Sequence, residues 1–137
     1  MKIEIKHRRT GAVLFSYECE NNTEKITLEA GVQSGANLNG AYLGGADLSG
    51  ASLYGAYLYE ANLGGADLNG ADLTGAYLGG TDLGGADLGG AKIYGVEILN
   101  AEQAAPLLAQ VAAAALATPE ALSMGARRLL LTLPLQL

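Results

Sequence analysis

The chain has 137 residues, half of them apolar, with 20 glycines, a single cysteine and a formal charge of −6. That length supports one domain with one core, and the apolar fraction excludes a disordered chain. Cys19 is alone, which excludes an internal disulfide and points to a reducing cytoplasm; the acidic balance excludes general affinity for nucleic acid or an anionic membrane.

The opening "MKIEIKHRRT" has no apolar run behind its charges, so no signal peptide is expected. Residues 2–19 read as a hairpin. "KIEIK" alternates, and "VLFSYEC" puts Val13, Phe15, Tyr17 and Cys19 on one face, around a turn at Arg9, Thr10 and Gly11. "NTEKITLEAGVQSG" then reads as a helix. Asn22 or Thr23 can cap its start and Gly35 fits its end, while Ile26, Ala30 and Val32 supply an apolar side. His7, the lone histidine, reads as a surface side chain of a strand.

From Ala36 the sequence repeats every five residues through twelve strict blocks, ending at Gly95, with a looser "VEILN" following. Each block opens on a small residue, nearly always alanine, carries leucine third until Ile93 replaces it in the last, and almost always glycine fifth. This period fits neither a helix nor a plain strand. Positions one and three share a face, and glycine lets the backbone turn, so the pattern describes short sides and corners winding around a buried leucine axis. Residues 36–100 hold seven acids against Lys92 alone, which accounts for the whole net charge.

The pattern resembles the pentapeptide-repeat family, whose motif is Ala, then Asp or Asn, then Leu, then two variable residues. The resemblance implies a right-handed, four-sided β-helix with twenty residues per coil. The chain then divides, as one structural unit, into a hairpin and capping helix (1–35), the repeat β-helix (36–100) and a C-terminal helical segment with an apolar tail (101–137). A hairpin plus helix ahead of the first block resembles bacterial and bacteriophage members. Leu38, Leu58 and Leu78 stack as one core ladder, and Leu48, Leu68 and Leu88 as another.

After the repeat, Asn100 and Gln103 suit the start of a helix to about Ala117, and Thr118 and Pro119 that of a short second one. The longest apolar stretch, "AAPLLAQVAAAALA", is too short to span a bilayer. The final "ARRLLLTLPLQL" is either a candidate homodimer contact or a cover for the last coil.

Twenty-residue coils align second positions in outer columns. Asp47, Asp67 and Asp87 form an acidic one, either a cation site or acidic surface, or else carboxylates bonded to nearby backbone. Tyr57 and Tyr77 form an aromatic one, with Tyr54, Tyr59, Tyr94 and Tyr42 also outward, suited to contact or to shielding coil edges. Another column reads Ser52, Asp72, Lys92. No GxGxxG or GK[ST] supports phosphate binding, no nucleophile has an identifiable base, and no cofactor is implied. The reading is a non-enzymatic scaffold or interaction module for an unidentified protein partner, binding neither nucleic acid nor membrane directly. The alternative is a mimic of duplex DNA that inhibits or protects DNA gyrase, as some members of the family do. Three coils at about 4.8 Å match only four or five base pairs, and only one column is acidic throughout, which argues against it.

Overall fold

The computed structural model describes residues 1–96, so the looser repeat after Val96, the C-terminal helices and the apolar tail lie outside the described residues. Two antiparallel strands open the chain: β1, Lys2–Lys6, and β2, Val13–Glu18, with Ile3 opposite Tyr17, Ile5 opposite Phe15, and a bulge after Ile5. Gly11, at φ +71°, lets the connecting turn close, and Gly11 N–H donates to His7 O at 3.0 Å.

Helix α1 follows, Glu24–Gln33. Thr23, not Asn22, caps it: the Thr23 hydroxyl accepts from Ile26 N–H at 3.1 Å. Asn22 is buried and ties the hairpin to the helix. Its amide donates to Met1 O and Tyr17 O, and its Oδ1 accepts from Thr23 N–H and the Thr27 hydroxyl.

The buried face of α1 differs from the expected one. Thr27, Leu28 and Gly31 are buried, Ala30 and Val32 are half-buried, and Ile26 is exposed. The cause is the close approach of β2: a Cβ at Gly31 would sit 3.1 Å from the Phe15 ring. β2 likewise buries only its middle, since Val13 and Tyr17 are exposed while Phe15 packs on the core.

From Asn37 the backbone pairs with itself twenty residues on, in parallel bridges such as Asn37 with Tyr57, Asp47 with Asp67 and Asp67 with Asp87. Each block uses its backbone alike. Asp67 N–H donates back to Ala46 O at 2.9 Å, while Leu48 N–H and Gly50 N–H donate forward to Asp67 O and Asn69 O, both at 2.8 Å. Ala51 N–H donates to Leu48 O at 3.0 Å, closing a four-residue turn whose third residue, Gly50, has φ +68°. A type II turn wants glycine at that position. Leu38 through Leu78 are essentially inaccessible, and Leu83, Leu88 and Ile93 nearly so, with the block-opening alanines filling the space between them. Thr81, the polar opener, is buried and donates its hydroxyl to Leu58 O at 2.6 Å.

The first coil has no coil before it, so its outward backbone groups need other partners. Tyr42 N–H donates to Lys6 O at 2.8 Å, and Arg8 N–H to Gly40 O at 2.7 Å. From α1, Lys25 Nζ donates to Ser49 O at 2.8 Å, and Glu29 accepts from Ser52 N–H at 3.4 Å. Ile5 and Leu28 join the same apolar cluster as the leucines.

Candidate functional site

Two outer columns, half a coil apart, gather the residues singled out from the sequence. In the acidic column, Asp47, Asp67 and Asp87 stand on successive rungs. Each carboxylate accepts from the N–H two residues on: Ser49 at 3.2 Å, Asn69 at 3.0 Å and Gly89 at 3.0 Å. The fourth-position side chain adds a second bond, 2.7 Å from the Ser49 hydroxyl to Asp47 and 2.7 Å from the Asn69 amide to Asp67. Asx turns of this kind hold an aspartate to its own loop.

These bonds favour the charged form. The Ser49 hydroxyl and N–H hold Asp47 below the usual carboxylate range, with a smaller contribution from the Lys25 charge. The Asn69 amide does the same for Asp87, helped by Gly89 N–H. Asp72, in the next column, is lowered by the Thr74 hydroxyl at 2.5 Å, against a partial opposing effect of burial. Asn69 thus bonds Asp67 in its own block and also favours the charged form of Asp87 on the next rung. Among the described residues, no three acids, histidines or cysteines converge as a metal site.

On the other side, the Tyr57 and Tyr77 rings stack at 5.1 Å between centroids and 10° between planes, and Tyr59 tilts onto Tyr77 at 5.7 Å and 41°. Tyr57 is 44 % exposed, and Tyr59 and Tyr77 are half-buried. Offset aromatic contacts of this sort hold large apolar area rigid at the surface. Tyr42 and Tyr54 are exposed elsewhere on the coil, without ring partners among the described residues.

Beside the tyrosines lies an open groove of about 450 Å³, lined by His7, Asn39, Tyr59, Glu60 and the glycines 40, 79 and 80. His7 is half-buried rather than a free surface side chain: it bridges Ala41, its ring packs on Gly40, and its Nδ1 accepts from Arg9 and Thr10 N–H. Glu60 was not singled out from the sequence, although its signal was there, as the only fifth-position residue of the twelve blocks that is not glycine. The pairing of second with fourth position, as in Asp67 with Asn69, was equally missed; its signal is the recurring D-L-S, D-L-N and D-L-T triplets.

The pentapeptide-repeat family model matches residues 34–70 and 71–102 with eight copies, half of the chain. No curated protein matches the chain. The family's repeats imply a β-helical solenoid, in agreement with the twenty-residue pairing and the glycine turn closing every block. The chain belongs to the pentapeptide-repeat family.

Proposed function

We propose that this chain is a non-enzymatic interaction module: a right-handed, four-sided β-helix, capped by its hairpin and helix, whose tyrosine column receives a protein partner. Pentapeptide-repeat membership supports a scaffold or protein-interaction role. The observation that carries the reading is the cluster of Tyr57, Tyr59 and Tyr77, ordered by mutual ring contact, with Tyr57 exposed, the other two half-buried, and Tyr59 lining a groove. Rigid aromatics with polar tips contribute contact area at low entropic cost. The bound aspartates favour the opposite role for their column, that of completing turns.

The test is crosslinked capture of partners by the parent chain, by Tyr57→Ser/Tyr77→Ser, and by Asp47→Asn/Asp67→Asn/Asp87→Asn. The tyrosine variant loses the partners and the aspartate variant retains them. The reverse pattern would sink this reading.

A second reading, a mimic of duplex DNA acting on gyrase, draws on one observation: Asp47 and Asp87 are held ionised in a column with Asp67. In a gyrase supercoiling assay it requires inhibition or protection that the triple asparagine variant lacks.

A further inference from the structure

We propose that the corner built around Glu60 seats the guanidinium of an arginine carried by a protein partner. This rests on the reading of the tyrosine column as the contact surface, and names the chemistry that the surface recognises.

Glu60 occupies a glycine position and keeps the glycine conformation, φ +58° beside +67° at Gly55 and +68° at Gly65. A side chain in that left-handed region runs against backbone preference, and such strain clusters at binding sites. The residue below it is Gly80, where a Cβ would come within 2.9 Å of Glu60 Cγ. Gly79 precedes it, so the acidic side chain reaches over a floor of bare peptide, with Tyr59 and Asn39 as the adjoining wall.

The carboxylate has no ion-pair partner: among the described residues, the ion pairs are Lys2–Glu4 and Lys6–Glu4. Arg8 is at the corner, but its Nη1 donates to the Glu60 carbonyl at 3.1 Å, not to the carboxylate. That bond ties the hairpin to the second coil and leaves the carboxylate exposed. The corner therefore offers one unpaired negative charge, a tilted aromatic ring and a flat peptide floor. A guanidinium answers all three, since it is planar, stacks on rings and peptide planes, and bonds a carboxylate through two parallel N–H groups. An ammonium answers only the charge. Arg8 opposes a second cation, so the seat discriminates by geometry rather than by strong attraction.

The test is titration of the full chain, followed by amide shifts, with N-acetylarginine amide and its lysine and citrulline counterparts. The arginine compound shifts Tyr59, Glu60, Gly79 and Gly80, the lysine compound does so several-fold more weakly, and neutral citrulline does not. Glu60→Gln abolishes the response. Glu60→Gly restores the ordinary residue of the repeat, so it melts no lower than the parent while losing the response. An arginine response that survives Glu60→Gln overturns the proposal, as does a marked loss of thermal stability in Glu60→Gly, which would make Glu60 structural. No response in the parent, with partner capture still lost in Tyr57→Ser/Tyr77→Ser, overturns the guanidinium seat alone. Capture retained in that variant overturns the tyrosine surface as well.

Discussion

The tyrosine column and the aspartate column stand ten residues apart on a twenty-residue coil and share one interior. Beneath Tyr57 and Tyr77 lie Leu58 and Leu78; beside Asp67 and Asp87 lie Leu68 and Leu88, all of them buried. The backbone bonds follow one scheme on both sides, as in Tyr77 N–H to Ala56 O and Asp87 N–H to Ala66 O, both at 2.9 Å. What differs is where the outer side chains direct their bonding. The aspartates turn inward along the chain, onto the N–H groups two residues on, and help to build the corner. The tyrosines meet each other across rungs and leave ring surface outward. One column serves the coil; the other, on the proposed reading, is left for a partner. Equivalent positions of a uniform solenoid thus differ in whether their side chains bond back to the backbone.

The shared interior gives the sharpest way to break this comparison. Leu58→Ala and Leu68→Ala should each cost about 2–5 kcal/mol, through lost burial plus the cavity left behind, and the two costs should agree. Urea denaturation checks this. A clear inequality would mean that the two sides are not built on one core. A smaller effect separates the corners. Gly70→Ala forces alanine to φ +68° with no neighbour within 4 Å, and should cost roughly 1–2 kcal/mol. Gly80→Ala carries the same backbone cost at φ +72° and also meets Glu60 Cγ, so it should cost more. Combining it with Glu60→Gly should bring it back to the Gly70→Ala value.

How much of this was legible follows from where each residue finds its partners. The repeat fixes its own neighbours, since every block meets a copy of itself. Leu38, Leu48, Leu58, Leu68, Leu78 and Leu88 could be placed in the interior by counting, and Tyr57 beside Tyr77 once the family resemblance supplied the twenty-residue coil. The hairpin and α1 have no such internal key. Their buried face depends on non-repeating contacts, Phe15 against Gly31 and Leu28 against the first coil, so Ile26 faces outward although an apolar pattern put it inside. Glu60 was legible as an exception to glycine, but its consequence needs the three-dimensional fact that Gly79 and Gly80 pass directly beneath it.

The next difference is in coupling. A double-mutant cycle on Tyr57 and Tyr77 should return about 0.5–1.5 kcal/mol of favourable interaction, insensitive to salt. The same cycle on Asp47 and Asp67 should return a small repulsion that fades as salt is added, because Asp47 is exposed, Asp67 only half-buried, and each is satisfied within its own block. An attractive term there, or a salt-dependent one between the tyrosines, would overturn the division of labour.

The smallest expected effect is in pH. Asp47 and Asp87 have carboxyls held below their ordinary value in the folded chain, first by Ser49 and Asn69 respectively. A group depressed in this way contributes stability above its unfolded pKa, near 3.9, and loses it as pH falls through the lower folded value. Unfolding midpoints should therefore be level from neutral pH down to about 4 and decline below it. Asp47→Asn/Asp87→Asn should flatten part of that decline, whereas Tyr57→Ser/Tyr77→Ser should leave its shape untouched, because neither tyrosine substitution touches a carboxylate or its hydrogen-bond donors. The salt and pH responses would then both belong to the column that builds corners, and partner capture to the column that does not.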